Sequence, residues 1–370
     1  MERRYDLDAL RVIAFGLLIF YHIGMFFVPW EWHIKNNVIY HWIEVPMLFL
    51  NRWRMPLLFI ISGMGVALSL QRRTTAAFSR ERLQRLLLPL VFGILVIVPP
   101  QVYVERIAYN QFSGSYFDFL STQAYHGGYP KGNISWHHLW FIPYILVYSF
   151  MILLLHRYYK THPNAKIFTF IQRQMAGKWS IYTLLLPLFL MECFLDPFFP
   201  VTHALVGDWY NFTYSFTLFV YGYMFIQYQK TFFTTVQTHY KSYLYAGIVC
   251  FTVFIWIVYT FEDGYTRHYI EASFNQVNMW SWLLFLFGVA AKYLNQPNAF
   301  FAYCNTAVYP FYILHQTVIV VLAYFLIEKP WGLATKFGLL TFGTTLSCWL
   351  LYDLLIKRFT ILRLAFGLKI

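Results

Sequence analysis

An arginine and a histidine on the first apolar segment of the sequence are the first candidates for chemistry. Arg11 precedes His22 by eleven residues, which is about three helical turns, so both side chains would lie on one face of a helix. An imidazole titrates near neutral pH and can act as a general base or as a nucleophile. A guanidinium at the cytoplasmic mouth of the same face would attract an anionic substrate. Two structural alternatives stay open: His22 could be a neutral histidine hydrogen-bonded between packed helices, and Arg11 could extend to lipid phosphate.

Two further ionisable side chains stand at apolar segments, where they are costly and usually face the interior of a helix bundle. His315 lies about ten residues into the segment 305–327, roughly 15 Å along a helix, and could be a second polar group at a reaction centre or a structural hydrogen-bonding residue. Arg54 lies near the start of the segment 51–70. It could form an ion pair with Glu44, or it could present its forked donors to a substrate.

A third group of candidates is the basic segment 71–85, which contains five arginines. Clustered guanidinium groups can bind the phosphates of an anionic cofactor. The same charges would be expected on a cytoplasmic loop in contact with anionic lipid. The arginines that we consider as phosphate ligands are Arg72, Arg73, Arg82 and Arg85.

The elements that must position these residues are membrane-spanning helices. Hydrophobic residues make up 59% of the 370 residues and charged residues only 12%, with a mean hydropathy of +0.49. A water-soluble protein usually carries about twice that charge. A hydrocarbon core of about 30 Å needs about 20 apolar helical residues. The sequence predicts an all-α, polytopic transmembrane helix bundle, a single membrane domain over 1–370, with about ten spans: 9–29, 51–70, 86–104, 139–156, 180–196, 210–228, 243–261, 279–294, 305–327 and 333–356.

The distribution of positive charge predicts the orientation of the bundle. With the N-terminus inside, the predicted inner segments carry 20 of the 28 lysines and arginines, the asymmetry that is typical of short cytoplasmic loops. Both termini are therefore predicted to be cytoplasmic. The net charge of +12 then indicates contact with membrane lipid, and we expect no nucleic-acid partner. The four cysteines are scattered without metal-ligand spacing, so we expect no metal site. Asp6 and Asp8 are expected to precede the first helix; they could pair with arginines, and Asp8 could equally well cap the helix. On span two, Gly63 is expected to permit close helix packing, and local unwinding is the alternative.

Five short motifs, in order along the chain, resemble the membrane-bound acyltransferase-3 family. They are Arg11-x10-His22, Arg54-Met-Pro-Leu-Leu-Phe-Ile-Ile-Ser-Gly63, Arg82-Leu-Gln-Arg85-Leu-Leu-Leu-Pro89, His138-Leu-Trp-Phe and Pro310-Phe-Tyr-Ile-Leu-His315. The resemblance extends over essentially the whole chain.

The resemblance implies an O-acyltransferase that moves an acyl group, acetyl or succinyl, from cytoplasmic acyl-CoA to a hydroxyl of a glucan or other saccharide on the far side of the membrane. It implies a bacterial cytoplasmic membrane, acyl-CoA as co-substrate and no tightly bound cofactor. His22 would deprotonate the acceptor or carry the acyl group. His315 would be a second polar group at the reaction centre. Arg54 would orient the acceptor or stabilise the oxyanion. The residues that would hold the CoA phosphates are Arg11, Arg72, Arg73, Arg82 and Arg85.

A transporter of an anionic solute is the alternative, because the same arginines and histidines could form a relay through the membrane. No soluble domain follows the last predicted span in this sequence, so acceptor recognition is expected to come from the outer loops. The longest outer loop is 105–138.

Overall fold

The computed structural model describes residues 3–369 and consists of helices and their connections. We number them in chain order, and the short helices α4, α6 and α13 connect or follow the long ones. The helices are α1 Tyr5–Met25, α2 His41–Leu70, α3 Thr75–Ala108, α4 Tyr116–Thr122, α5 His137–Thr161, α6 Lys166–Met175, α7 Ser180–Phe194, α8 Trp209–Gln227, α9 Gln229–Thr260, α10 Tyr265–Tyr293, α11 Ala299–Tyr324, α12 Leu333–Ile356 and α13 Thr360–Ala365.

The predicted all-α membrane bundle is confirmed, and each of the ten predicted spans falls on one of these helices. Within the described residues 3–369, seven helices are long and apolar enough to cross a membrane: α1, α2, α3, α5, α9, α11 and α12. The helix α7 is apolar but shorter. The helices α8 and α10 have 19 and 29 residues. Tyrosine and amide side chains, and in α10 also charged ones, lower their hydropathy.

The first helix begins and ends about four residues earlier than its predicted span. Asp6 and Asp8 lie in its first turn, and not before the helix as expected, because carboxylates are favourable at the positive end of the helix dipole. They do pair with arginines: Arg4 contacts Asp6, and Asp8 accepts from Arg3 at 2.9 Å. The early end places His22 in the last turn of α1.

The chain divides into two compact units, which we describe separately. Unit 1 comprises 1–14, 48–79 and 144–302. Within it, α2 and α8 pack backbone to backbone at two glycines. A side chain on Gly63 would lie 1.9 Å from the Phe219 carbonyl oxygen, and one on Gly222 would lie 2.0 Å from the Ile60 carbonyl oxygen. The expected close helix packing at Gly63 is therefore confirmed.

Unit 2 comprises 15–47, 80–143 and 303–370. It contains most of α1 and α3, the start of α5, and α11 to α13. At Gly93 the backbone of α3 meets the start of α5, because a side chain there would lie 2.3 Å from the Leu139 Cδ1 atom. This contact fixes the position of the first turn of α5. The prediction of a single membrane domain stays a prediction.

The predicted orientation can be tested at His126, an exposed residue of the loop 109–136. We expect a His126→Cys variant, made after replacement of the four native cysteines, to react with a membrane-impermeant maleimide added to intact cells or spheroplasts. A matched variant at the exposed Arg80 should react only after permeabilisation. Labelling of position 126 from the cytoplasmic side alone would invert the topology.

Candidate active site

Two of the predicted site residues, His22 and His315, are in direct contact inside unit 2. The Nδ1 atom of His22 lies 2.7 Å from the Nε2 atom of His315, and the two rings stack with centroids 5.0 Å apart and an interplanar angle of 12°. The side chain of His315 is fully buried, and that of His22 is partly exposed. The structure therefore joins two residues that are separated by 293 positions in the sequence.

The hydrogen bonds of this pair define which nitrogen of each ring carries the proton. The Nδ1–H of His315 donates to the carbonyl oxygens of Tyr312, at 2.7 Å, and Phe311, at 3.2 Å. A neutral imidazole carries one N–H only, so Nε2 of His315 is an acceptor. It then accepts from the Nδ1–H of His22, which makes Nε2 the unprotonated nitrogen of His22. An imidazole oriented in this way presents a basic nitrogen, as the histidine of a catalytic triad does.

A third histidine, His138 in the first turn of α5, packs against the pair. Its ring lies edge-on to His315, with centroids 5.3 Å apart and an interplanar angle of 89°. Its Nε2–H donates to the Ile313 carbonyl oxygen at 3.0 Å, and its own carbonyl accepts from the Tyr312 hydroxyl at 2.6 Å. The preceding residue, His137, has a φ of 39°, which is uncommon for a side chain of this size. This turn directs His138 towards α11.

A network of buried polar groups extends from His138 to a carboxylate. Gln101 donates to Thr317 at 2.7 Å and lies 3.4 Å from the Nδ1 of His138. Gln316 donates to Gln101 at 3.0 Å and contacts the Nε2 of His33 at 2.9 Å. The Nδ1 of His33 lies 2.5 Å from the Glu105 carboxylate.

Every donor of this network has an acceptor. The two amide hydrogens of Gln316 point to Gln101 and His33, so His33 Nε2 is unprotonated and its Nδ1–H donates to Glu105. Fully satisfied buried networks rigidify their surroundings, whereas partly satisfied ones are destabilising. The residues of α3 and α11 around the histidine pair are therefore held in one arrangement.

An irregular turn in α3 leaves one backbone carbonyl available to accept a hydrogen bond from the network. The segment Gly93–Ile97 is a wide helical turn, in which Val98 N–H bonds to the Gly93 carbonyl. Gln101 N–H bonds to Val98 instead of the Ile97 carbonyl, and the Ile97 carbonyl accepts from the Thr317 hydroxyl at 2.7 Å. Wide turns of this kind occur frequently at functional sites.

The end of α1 is fixed by a lysine from the following loop. The Nζ atom of Lys35 donates to the carbonyls of Met25, at 2.6 Å, and Val28, at 2.8 Å. A cation at this position satisfies carbonyls that the helix leaves unpaired and interacts favourably with the helix dipole. Burial lowers the pKa of Lys35 to about 8, so the side chain is mostly protonated at neutral pH. This cap holds the last turn of α1, which carries His22.

The predicted residues Arg11 and Arg54 belong to unit 1. Arg11 lies on α1, with Nη1 3.4 Å from an Asp8 carboxylate oxygen, and Gly65 of α2 lies beside its guanidinium. Arg54 is buried, with 3% exposure. Glu44, the possible partner of Arg54, lies 2.8 Å from His41. The predicted roles of both arginines in the reaction stay predictions.

The four arginines predicted to bind CoA phosphates differ in their surroundings. Arg72 and Arg73 are exposed at the end of α2, and Arg73 donates to the Ser69 hydroxyl at 2.9 Å. Arg82 and Arg85 lie on α3 and are partly exposed. Arg85 donates to the Gly367 carbonyl at 3.0 Å and lies 3.3 Å from Glu81. Phosphate binding by this segment stays a prediction.

The polar residues around the histidine pair are not predicted as a site from the sequence. Gln101 and Glu105 lie one turn apart on α3, His33 and Gln316 lie far from them in the chain, and an isolated amide in an apolar helix is no specific signal. The one usable signal was Glu105, a carboxylate at the end of an apolar span with no cation one turn away on the same face. Among residues 3–369, no three histidine, cysteine or carboxylate side chains form a group that could hold a metal ion.

Comparisons with known proteins identify the family of this chain. The family model described as "Acyltransferase domain" matches residues 4–353. Over 150 residues, the chain is 27% identical to Glucans biosynthesis protein C of Escherichia coli strain K12 and to the protein of the same name from Escherichia coli O1:K1 / APEC. Each match covers 40% of this chain and 37% of the relative, so the chain spans well under half the length of these curated relatives. No solved structure matches. The chain belongs to the acyltransferase-3 family.

Proposed function

We propose that this protein is a membrane O-acyltransferase that transfers an acyl group, acetyl or succinyl, from cytoplasmic acyl-CoA to a hydroxyl of an extracytoplasmic glucan or other saccharide. Membership of the acyltransferase-3 family supports the reaction class, and the name of the matching relatives supports the glucan. The observation that carries the proposal is the 2.7 Å contact between His22 and His315, which orients a basic nitrogen in a membrane-embedded bundle.

In the proposed reaction, Nε2 of His22 is the base. It takes the proton of the acceptor hydroxyl while the hydroxyl oxygen attacks the thioester carbonyl carbon. The carbon–sulfur bond breaks, and the thiolate of CoA takes the proton from His22, so that the products are an ester and a free thiol. A sugar hydroxyl is a poor nucleophile at neutral pH, and a positioned base typically contributes about 10²–10⁴-fold to such a step.

The same orientation of His22 suits a covalent route. Nε2 would attack the thioester carbon, and CoA would leave as the thiolate. The acceptor hydroxyl would then attack the acyl carbon, the carbon–nitrogen bond to His22 would break, and the hydroxyl proton would pass to the thiolate, which gives the free thiol. In both routes His315 is a positioning residue, because it accepts the Nδ1–H of His22 and stabilises positive charge that develops on the ring. We favour the general-base route, since it needs no covalent intermediate.

Free-thiol release by the purified protein tests the proposal. With acetyl-CoA or succinyl-CoA and a glucan acceptor, we expect free CoA and acylated glucan in equal amounts. A transporter of anionic solutes would release no thiol. Absence of acylated product with every acyl-CoA and saccharide tried would contradict the proposal.

The basic segment 71–85 is proposed to bind the phosphates of acyl-CoA. We expect Arg85→Ala to raise the KM for acyl-CoA about tenfold, as expected for a lost charge-assisted hydrogen bond, with the KM for the acceptor unchanged. Arg80→Ala is the matched control, because it removes an exposed arginine of the same helix. Equal KM values for Arg85→Ala and the control would limit Arg85 to its contacts with Gly367 and Glu81.

A further inference from the structure

A second polar cluster lies inside unit 1, on the helix α10. Three amides within about one helical turn are buried in this unit: Asn275, Gln276 and Asn278 are 7%, 1% and 0% exposed. Amide side chains are costly to bury in a membrane-embedded bundle unless they find partners. Their partners therefore indicate what the cluster is for.

Two of the amides hold a carboxylate of α7. Asn275 donates to one oxygen of Glu192 at 3.0 Å, and Gln276 donates to the other. The Gln276 oxygen in turn accepts from the Tyr214 hydroxyl at 2.9 Å. The carboxylate of α7 is thus held by two side chains of α10, and one of these, Gln276, is held in turn by Tyr214 of α8.

The rest of the cluster has unmet hydrogen-bonding demand. Both polar atoms of the Asn278 amide are buried without a partner among residues 3–369, and so is the side-chain oxygen of Asn275. On α2, the Nε of Arg52 and the indole nitrogen of Trp53 are also buried without a hydrogen-bond partner among the described residues. Acceptors and donors are therefore left unpaired together, which a single ligand with hydroxyl groups could satisfy on both sides.

Ring contacts connect these groups. Trp53 packs edge-on against Phe49, with centroids 5.7 Å apart, and Phe49 packs against Trp282 at 4.8 Å. Trp282 lies one helical turn after Asn278, on the same face. Arg52 lies over the Phe254 ring, with Cζ 4.6 Å from its centroid. Aromatic rings with a few fixed polar groups are typical of small-molecule sites.

The charge of the cluster disfavours an anionic ligand. Arg52 lies within electrostatic reach of Glu192 and Asp196, and Glu271 is a third carboxylate near Glu192, so carboxylates outnumber the arginine. The other arginine, Arg267, already pairs with Asp263 and Glu271. A phosphate or carboxylate ligand would meet net negative charge, whereas a neutral polyhydroxyl ligand would meet fixed donors and acceptors.

We infer that this cluster in unit 1, centred on Glu192, Asn278 and Arg52, binds a neutral saccharide. The inference rests on the proposed function only in assigning that saccharide as the acyl acceptor. In the predicted orientation, Arg52 and Glu192 lie towards the outer ends of their helices, the side from which an extracytoplasmic saccharide would enter. A site built to pair with hydroxyl groups leaves its own polar atoms unpaired when it is empty.

Asn278→Leu gives the sharpest test, because binding and stability should change in opposite directions. The leucine is similar in size and removes two unpaired buried polar atoms, so we expect the unfolding temperature to rise by about 2–4 °C. The affinity for a glucose tetrasaccharide, measured by titration calorimetry on the detergent-solubilised protein across several linkages, should fall about tenfold. Thr344→Val is the control: it removes another buried, unpaired hydroxyl and should leave saccharide affinity unchanged.

Arg52→Gln is a second variant, should Asn278→Leu fail to insert, and it should also weaken binding about tenfold. A rise in unfolding temperature with unchanged saccharide affinity would overturn the inference, since the unpaired atoms would then only be hydrated. So would the absence of saccharide binding by the wild type, or Arg52-dependent binding of inorganic phosphate in its place. Saccharide binding without acyl transfer to any acceptor would support the site and refute the proposed function.

Discussion

Replacement of His22 is expected to abolish acyl transfer while the protein still folds and inserts. We choose His22→Asn, because the asparagine amide can take the place of Nδ1–H and keep the hydrogen bond to Nε2 of His315. The basic Nε2 is lost. A general base contributes about 10²–10⁴-fold, and a covalent carrier would be indispensable, so kcat should fall at least 100-fold. The measurement is initial-rate formation of acylated glucan by purified protein.

The KM for acyl-CoA should change little in His22→Asn, because the imidazole acts on the reacting atoms and not on the nucleotide. His156→Asn is a matched control: this histidine of α5 also makes a hydrogen bond through its Nδ1, which lies 2.7 Å from the Tyr223 hydroxyl, and it belongs to unit 1. We expect its transfer rate to stay within a few fold of the wild type. Retention of more than about a tenth of the wild-type kcat by His22→Asn would remove His22 from the chemistry.

Much of the fold could be predicted, since its determinants are local. Apolar segments of sufficient length form helices in lipid whatever their neighbours are, and all ten segments became helices. The ends of the helices were predicted less well because they depend on caps. Asp6 and Asp8 start α1 early, and Lys35 closes it from a residue ten positions beyond its last turn.

The site was predicted in part, for a related reason. His22 and His315 stand out as ionisable residues in apolar segments, and the cost of burying them marks them without knowledge of the fold. Their contact, by contrast, depends on the packing of α1 against α11, which no spacing in the sequence encodes. Gln101 and Gln316 are uncharged, so their presence in apolar segments gives no comparable signal of a site. They became visible only when the structure placed them between His138 and His33.

The cluster around Glu192 could not be predicted from the sequence either. Neither Arg52 nor Asn278 is among the candidate residues that the sequence indicates. Their importance arises from hydrogen bonds that are not made, and an unmet donor or acceptor can be recognised only once every neighbour is in place.

Replacement of His315 is expected to have the second-largest effect, and two variants separate position from packing. His315→Phe keeps an aromatic ring beside His22 and Tyr312 but removes the acceptor for the Nδ1–H of His22. The imidazole of His22 is then free to turn or to adopt the other tautomer. Removal of an orienting acceptor from a catalytic histidine can cost as much as about 10⁴-fold in a catalytic triad, and removal of the hydrogen-bond partner of a metal-bound histidine costs about 10–100-fold. We expect a fall in kcat of about 100-fold.

His315→Gln should recover much of this loss, since the glutamine side-chain oxygen can occupy the position of Nε2 and accept the same hydrogen bond. We expect at least tenfold higher kcat for His315→Gln than for His315→Phe, although phenylalanine is the closer match in shape and apolar packing. The KM for acyl-CoA should be the same in both variants, and circular dichroism should show equal helix content. A purely structural histidine would give the opposite order, with phenylalanine better tolerated than glutamine in this buried position. That order would show that His315 supports the fold and does not orient His22.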